Sequence, residues 1–419
     1  MNAFLIIASL LVGPVHAAPV WLESLSQAQA QAKASGKPLL IEFHAPWCYS
    51  CYYMAGNVLS KPAFSAAAQG LVLLKADVDQ EDGRALKAQY GVTALPSFVL
   101  VGPAGEVLGR IAGEQTEADF LARLKALLKG AGGGPDDRAV AELQQRLVSG
   151  ETAQAAAAVA RLGPERLKSL RGRKDWRVLE ARLGLERGGQ KAEGDLKTLL
   201  ELDDSCELPY TLMDADKLLA GLPEARRREL LTAERKALED LSTRGLFIKG
   251  ERRCADFRSG VAVLAEVYER LGETGRRQDL IRRALAFLDG MGLKVGAARN
   301  HDDDRRFFLE LARDDAGLKS FYAQLVATYP SDYVYSYRYA RYLMEAGDPG
   351  GALTWAEKAD KLCYGANRLA VTKVRARALL ALGRKAEAAA LLQRDIKAGK
   401  AFPDEAGKLA ELLATLGKP

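Results

Sequence analysis

Residues 42–54, EFHAPWCYSCYYM, contain two cysteines three positions apart, directly after an apolar run. That run, KPLLIEFHA, is short and apolar, which predicts a buried β-strand that ends close to the cysteines. Cys48 and Cys51 can then form a redox pair, supply half of a metal site, or be two inert buried thiols. Most of what the sequence indicates about function depends on which of these three interpretations holds.

The residues around the pair favour redox chemistry. A tetrahedral zinc site needs four ligands, and His44 is the only histidine near the pair, since the other histidine of the mature chain is His301. At the N-terminus of a helix, the helix dipole and the free backbone N–H groups favour a thiolate on the first cysteine. The second cysteine, one turn later, is within reach of the first sulfur. The pair can therefore attack a disulfide, form a mixed disulfide and resolve it, and neither a metal nor another cofactor is expected.

The sequence on both sides of the pair alternates between helix and strand patterns. Helices are predicted at WLESLSQAQAQAKASG, ending at Gly36, at EDGRALKAQYG, ending at Gly91, and at TEADFLARLKALLKG, with Thr116 as its cap. LVLLKADVD predicts a second strand, and SFVLVGPAGEVLGRIAG predicts a hairpin with the turn GPAG. A β-α-β start followed by a hairpin and a closing helix implies a mixed sheet covered by helices.

Residues 19–129 resemble thioredoxin-fold proteins along their whole length. The similarity is closest to periplasmic domains such as the C-terminal domain of the transmembrane thiol:disulfide interchange reductase. It rests on APWCYSC, the preceding LLIEF, VLLKADVD and GVTALPSF. The resemblance implies an α/β thioredoxin fold, with Cys48 as the nucleophile, Cys51 as the resolving cysteine and Trp47 beside the active site.

The same resemblance assigns roles to residues outside the motif. It implies that Pro96 is a cis-proline facing the disulfide, which leaves the backbone of Leu95 free to pair with an extended substrate. Glu42 lies where thioredoxins carry a buried acid, and Lys75 lies where they carry the lysine that pairs with it. A buried carboxylate with a raised pKa can accept the proton of Cys51 during resolution.

The residues between and after the cysteines differ from the familiar pattern of the family. The intervening pair is Tyr49 and Ser50, not Gly-Pro or Pro-His, and Tyr52 follows where a basic residue is usual. Without a histidine between the cysteines, strong stabilisation of the Cys48 thiolate is not expected, which argues against a powerful oxidant. We expect Tyr49 and Ser50 to tune the redox potential of the pair.

Residues 1–17 have the pattern of a secretory signal peptide. An apolar run leads into Gly13 and Pro14, and the small residues that follow predict cleavage after Ala17. The run is too short to cross a bilayer, and no later segment is long and apolar enough, so no stable membrane span is expected. The prediction is a protein of the periplasm or one otherwise exported, where disulfides persist.

Three further cysteines lie outside the motif, and the total of five leaves at least one unpaired within a monomer. Cys206 and Cys254 each lie near a polar, loop-like stretch, ELDDSCELP and KGERRCADF. They either form a structural disulfide or remain thiols, because spacing alone does not establish a pairing. Cys363, in a predicted helix, is expected to be a buried free thiol.

A glycine-rich linker is predicted at residues 130–137, followed by an all-α domain at residues 138–419. Within this domain, residues 339–359 align with residues 375–395, with glycines and alanines at matching positions. The pattern is similar to tetratricopeptide repeats. It is clearest at residues 260–290 and 332–396, and such arrays present extended concave surfaces to partners.

Two polar segments of the second domain have alternative interpretations. The tyrosine-rich YPSDYVYSYRYARYLM, residues 329–344, is expected to place one tyrosine face, such as Tyr335 and Tyr339, in the repeat core. A client-binding groove is the alternative. HDDDRR, from His301 to Arg306, is predicted to be a solvated helix start.

The sequence therefore predicts an exported thiol-disulfide oxidoreductase that reduces or exchanges protein disulfides. Its partners would be protein thiols and disulfides, from clients or an upstream redox protein, with a further protein partner on the helical repeats. The charges are interspersed, despite a net charge of +6, which argues against nucleic acid. Two alternatives remain: a non-catalytic scaffold that uses both domains for docking, and a specialised reductase for cytochrome c maturation.

Overall fold

The computed structural model describes residues 19–129, 134–247 and 254–416. The predicted signal peptide, residues 1–17, and positions 130–133 of the predicted linker lie outside these residues. Positions 135–137, predicted as linker, are the first turn of a helix that begins at Pro135. Proline suits this place because the first helical N–H groups have no partner within the helix.

The first region contains a five-stranded mixed sheet in the order β1-β3-β2-β4-β5. Its strands are β1 (Trp21–Leu22), β2 (Leu39–His44), β3 (Val72–Asp77), β4 (Ser97–Val101) and β5 (Val107–Ala112). β1 and β2 run parallel to β3, whereas β4 is antiparallel to both β2 and β5. The predicted strands and hairpin are therefore present. Trp21 and Leu22, predicted to be helical, instead pair with β3 as a short edge strand.

Helices cover both faces of this sheet. They are α1 (Leu25–Ser35), α2 (Tyr49–Met54), α3 (Pro62–Ala68), α4 (Glu81–Gln89) and α5 (Glu117–Lys129), and a π-helical turn, Ala55–Leu59, continues α2. α1 ends at Gly36, whose φ of 66° is left-handed, as the predicted stop requires. One core contains α1 and the cysteine pair, and the other packs Met54 of α2 against Phe98 and Phe120.

The second region consists of helices. Its helices between residues 135 and 241 are α6 (Pro135–Val148), α7 (Thr152–Ala160), α8 (Pro164–Arg171), α9 (Lys174–Arg187), α10 (Ala192–Leu202), α11 (Leu208–Asp214), α12 (Asp216–Ala220) and α13 (Glu224–Leu241). They are followed by α14 (Phe257–Leu271), α15 (Thr274–Asp289), α16 (Arg299–Ala312), α17 (Asp315–Thr328), α18 (Tyr333–Glu345), α19 (Pro349–Asp360), α20 (Gly365–Ala381), α21 (Lys385–Ala398) and α22 (Pro403–Leu416).

The predicted helical repeats are confirmed by three helix pairs with the same turn. Gly272, Gly347 and Gly383 connect α14 to α15, α18 to α19 and α20 to α21, with φ of 76°, 77° and 77°. A residue with left-handed backbone angles ends a helix with little steric strain when it is glycine, because glycine has no Cβ. This is why glycine recurs at this spacing. Ala352 and Ala388, predicted to lie at helix crossings, are fully buried.

The cysteines of the second region differ in state. Cys206 and Cys254, whose pairing the sequence leaves open, form a disulfide with an S–S distance of 2.00 Å. Cys363 is a buried free thiol, as predicted. It lies between α19 and α20 and not inside a helix, because α19 ends at Asp360 and α20 begins at Gly365.

The two regions are docked through polar contacts at the end of β3. The hydroxyl of Tyr364 hydrogen-bonds to Asp77, and the Ala366 N–H donates to the carbonyl oxygen of Asp79 at 3.2 Å. Farther along, Arg84 of α4 pairs with Glu405 of α22 at 2.7 Å. No helix in the described part of the chain is long and apolar enough to cross a membrane.

Gly365 provides a test of this docking, because its φ is 54° and an added Cβ would overlap the carbonyl oxygen of Asp79. Gly383 has a similar φ, 77°, but an added Cβ there meets nothing within 4 Å. We expect Gly383→Ala to cost about 1–2 kcal/mol of strain. Gly365→Ala should cost about 1–3 kcal/mol more, because the two regions must move apart. Thermal unfolding of both variants measures the difference, and equal shifts in Tm would contradict the docking contact.

Candidate active site at the Cys48–Cys51 pair

The two cysteines form a disulfide at the start of α2. The S–S distance is 2.01 Å, and the side chains are only 5% and 6% exposed. Cys48 occupies the N-cap position, so that its sulfur accepts a hydrogen bond from the Cys51 N–H at 3.1 Å. In the reduced state this N–H and the helix dipole would stabilise a Cys48 thiolate.

The proline expected opposite the pair has the expected geometry. The Leu95–Pro96 peptide bond is cis, and Leu95 packs against the core cluster that contains Cys48 and Cys51. Trp47 is 40% exposed, and its indole N–H donates to the carboxylate of Asp79 at 2.8 Å. The sequence motif therefore folds into one compact arrangement of disulfide, indole and cis-peptide.

Glu42 lies on β2 and pairs in register with Lys75 on β3. Its carboxylate is 1% exposed, and the Lys75 Nζ is 3.9 Å from the nearer carboxylate oxygen. Neither oxygen has a hydrogen-bond partner among the described residues. Burial raises the pKa of Glu42 to about 7, although the positive charge of Lys75 opposes the rise. By strand alternation Glu42 faces the same side as Leu40, whose cluster includes Met54 of α2.

His44, at the end of β2, has the environment of a neutral packing residue. Burial and the nearby charge of Lys75 lower the pKa of His44 to about 4, despite the opposing charge of Asp77. The imidazole is therefore uncharged at neutral pH, and it contributes no positive charge to the redox pair.

Three residues of the second region, Arg299, Tyr335 and Arg338, cover Tyr49 and Tyr52 on one side of the active-site helix. We call these five residues the tyrosine–arginine cluster. The Tyr49 ring is buried against Tyr335, with centroids 6.0 Å apart, and the Arg338 guanidinium lies 4.4 Å from its centroid. Arg299 lies 4.2 Å from the centroid of Tyr52. These contacts place cations on the aromatic faces of the two tyrosines. The tyrosine face of α18 is thus packed, as predicted for a core.

Beneath this cluster lies a buried carboxylate that the sequence analysis placed in solvent. Asp303 is 1% exposed and pairs with Arg258 at 2.6 Å, Arg306 at 2.8 Å and Arg338 at 2.7 Å. Burial raises the pKa of Asp303, but the three guanidinium groups outweigh it and hold the pKa below its usual value. The prediction of a solvated HDDDRR segment is wrong. Arginines from α14 and α18 offset the free-energy cost of burying the charge of Asp303.

On the other side of the pair is a cavity of about 500 Å³ between the two regions, which we call the cleft. Ser50, Leu95 and Glu114 of the first region line one wall, and Arg182, Cys206, Tyr210 and Asp256 are among the residues of the opposite wall. The redox pair is therefore covered by the tyrosine–arginine cluster on one side and bordered by the cleft on the other.

The nine site residues that the sequence singles out lie in or next to β2, α2, β3 and the cis-peptide. The structure joins Cys48 to Cys51 and Glu42 to Lys75, and it places Ser50 and Leu95 in the lining of one cleft. Sequence reasoning missed Asp79, Glu114, Arg299, Asp303 and Arg338. The place of each residue near the site depends on a contact between residues far apart in the chain. An example is the 3.5 Å hydrogen bond from Arg338 to the Trp47 carbonyl oxygen, across 291 positions. Only the run of acids and arginines in HDDDRR signalled an unusual segment.

The first region is similar to known proteins. The family described as Thioredoxin-like matches residues 20–103. Thiol:disulfide interchange protein DsbD 2 of Pseudomonas aeruginosa is 40% identical over 106 residues, which are 24% of this chain and 18% of that protein. Thioredoxin H4 of Arabidopsis thaliana is 35% identical over 111 residues, which are 26% of this chain and 83% of that protein.

Among solved structures, a thioredoxin from Thermus thermophilus is 33% identical. The match covers 26% of this chain and 86% of that chain, with a TM-score of 0.25. The chain spans about a fifth of the length of the first curated relatives, which are named thiol:disulfide interchange proteins.

The buried carboxyl of Glu42 generates a prediction about stability. Its pKa is about 7 in the folded chain and 4.5 without burial, so the folded state holds an extra proton between these values. Stability should therefore fall as the pH rises from about 4.5 to about 7. Glu42→Gln removes this loss, and its stability relative to wild type should rise across the window by about 3 kcal/mol.

Denaturant unfolding at about pH 5 and about pH 8 measures the change. Glu23→Gln, at an exposed position, is the control and should show no such trend. A difference between Glu42→Gln and wild type that stays constant with pH would contradict the raised pKa.

Proposed function

Because the chain belongs to the thioredoxin-like family through its first region, we propose that it is an exported thiol-disulfide oxidoreductase that reduces or exchanges protein disulfides. The observation that carries the proposal is the Cys48–Cys51 disulfide at the N-terminus of α2, beside the cis Leu95–Pro96 peptide. This arrangement supports a thiolate on one side and an extended substrate on the other.

The proposed reaction starts from the reduced pair. The Cys48 thiolate attacks one sulfur of a client disulfide, the client S–S bond breaks, and its other sulfur leaves with the electron pair and takes up a proton. Cys51 then gives its proton to Glu42 and attacks the Cys48 sulfur. The second client sulfur leaves, and the pair is oxidised by two electrons as the client is reduced. An upstream dithiol partner returns the pair to the reduced state.

The helical region is proposed to hold the client beside the pair. Two features support this role: the tyrosine–arginine cluster covers one side of α2, and helical-region residues such as Arg182 and Tyr210 line the far wall of the cleft. A client bound there has its local concentration at Cys48 raised, as tethering does. Export is proposed from residues 1–17, and a disulfide between Cys206 and Cys254 is consistent with a compartment outside the cytosol.

Reduction of insulin by an external dithiol tests whether the chain is an enzyme. We expect Cys48→Ser to lower the rate by a factor of about 100 or more, because the nucleophile is lost. Cys363→Ser, which removes the buried free thiol outside the site, is the control and should keep the wild-type rate. Equal activity in wild type and Cys48→Ser would favour a non-catalytic scaffold.

The direction of electron flow is tested by a redox titration of the pair. We expect a potential near the roughly −270 mV of thioredoxin and not near the roughly −120 mV of a strong periplasmic oxidant. The reason is that neither Tyr49 nor Ser50 is a cation that would stabilise a thiolate. The extent of thiol alkylation is measured in the peptides that contain Cys48 and Cys51, so that the potential of this pair is distinguished from that of Cys206–Cys254. A value near −120 mV would reverse the proposed direction.

A further inference from the structure

Glu114 is an acid in the cleft that the reaction described above does not use. It lies in the turn between β5 and α5, is half-buried, and lines the cleft next to Ser50, the residue between the two cysteines. Leu95, whose peptide bond to Pro96 is cis, lines the same cavity. A titratable group thus shares the cleft with Ser50 and with Leu95, whose backbone is proposed to pair with a client.

The helical region supplies the charges that face Glu114. Asp256 precedes α14 and caps it, accepting from the Ser259 N–H at 2.9 Å, and it also accepts from the Tyr210 hydroxyl. Asp304 of α16 is the second facing carboxylate. Arg258 is the facing cation, and its guanidinium pairs with Asp303 at 2.6 Å and with Asp304 at 3.7 Å. Glu114 therefore meets more negative than positive charge.

The remaining charged groups of the cleft are paired with one another. Arg123 of α5 and Arg182 of α9 both bind Glu207, at 2.8 Å and 2.7 Å. Asp119 accepts a hydrogen bond from the Thr116 hydroxyl at 2.7 Å. These contacts give Arg123 and Arg182 a carboxylate partner other than Glu114.

Burial raises the pKa of Glu114 well above its usual value, and the charges of Asp256 and Asp304 raise it further. Ser50 and the positive charge of Arg258 oppose the rise in the pKa of Glu114 but do not cancel it. A carboxyl in this environment keeps its proton at a pH where an exposed glutamate has lost it, so that it can act as an acid.

We propose that Glu114 is the general acid that protonates the first sulfur to leave the client; this rests on the proposed function. As the Cys48 thiolate forms its bond to the client, the client S–S bond breaks and its electron pair passes to the leaving sulfur. That sulfur takes the proton of Glu114, which becomes a carboxylate and is reprotonated from solvent. An alkyl thiolate, whose conjugate acid has a pKa of about 8.5, is a poorer leaving group than the protonated thiol.

The leaving group provides the test. Glu114→Gln keeps the size of the side chain but cannot donate the proton. With the reduced pair in single-turnover reactions, we expect the variant to react about tenfold or more slowly with the disulfide of a short alkyl cysteine peptide. Its rate with dithio-bis-nitrobenzoate should be unchanged, because the aromatic thiolate is stable without a proton. Equal losses on both substrates, or no loss on either, would overturn the proposal.

Two further variants guard against an effect on folding alone. Glu117→Gln, outside the cleft lining, should react like wild type with both substrates.

In wild type the rate with the alkyl disulfide should fall at high pH, once Glu114 has lost its proton, and Glu114→Gln should lack this decline. Asp256→Asn removes a facing negative charge, which lowers the pKa of Glu114, so that the decline should move to lower pH.

An unmoved decline in Asp256→Asn would count against the assignment. Failure of the proposed function looks different, since wild type itself would then reduce neither disulfide. If only the role of Glu114 is wrong, wild type reduces both substrates and Glu114→Gln follows it at every pH.

Discussion

Three guanidinium groups converge on the buried carboxylate of Asp303, and the surroundings of the redox pair depend on this interaction. Arg258, Arg306 and Arg338 come from α14, α16 and α18, so that one carboxylate connects three helices. A buried carboxylate without such partners would destabilise the fold by several kcal/mol. The arrangement holds Arg338 against the Tyr49 ring and the Trp47 carbonyl oxygen.

The consequence for chemistry is that residues outside the thioredoxin-like region shape its active site. Tyr49 lies between the cysteines and is buried by helical-region side chains, so its environment differs from that of a motif residue facing solvent. One side of α2 is closed by packing, and Ser50, between the two cysteines, lines the cleft. The helical region is therefore part of the active site's wall, in addition to any role in holding a partner.

Two carboxyl groups of the first region have raised pKa values for different reasons. Glu42 belongs to the sheet, and its shift comes from burial within the first region. Glu114 belongs to the turn after β5, and carboxylates of the helical region add to the effect of burial. The proposed proton acceptor for Cys51 and the proposed proton donor for the client thus belong to different elements, which suits a reaction with two sequential proton transfers.

Local patterns predicted local structure well. The apolar run before the cysteines is β2, and the recurring glycines end the helices of three repeat pairs, because strand alternation and left-handed turns depend on neighbouring residues. The predictions that were wrong concern segments whose structure depends on contacts with distant parts of the chain. Trp21 looks helical but completes a sheet edge. HDDDRR looks solvated because two of the three arginines that neutralise Asp303 lie in other helices. The Cys206–Cys254 pairing could not be chosen, since spacing does not give the distance between two cysteines.

The sequence by itself determined the redox pair, its strand and helix, the cis-proline position, the Glu42–Lys75 match and the helical repeats. The pair, its strand and helix and the repeats are encoded by residues close in the chain, whereas the cis-proline and the Glu42–Lys75 match followed from the resemblance to thioredoxin-fold proteins. Only the tertiary structure decided what surrounds the pair: the tyrosine–arginine cluster, the buried Asp303 and the cleft with Glu114. The physical reason is that burial, and with it the cost and pKa of a charge, depends on groups far apart in the chain, such as Arg338 and Trp47, which are separated by 291 positions.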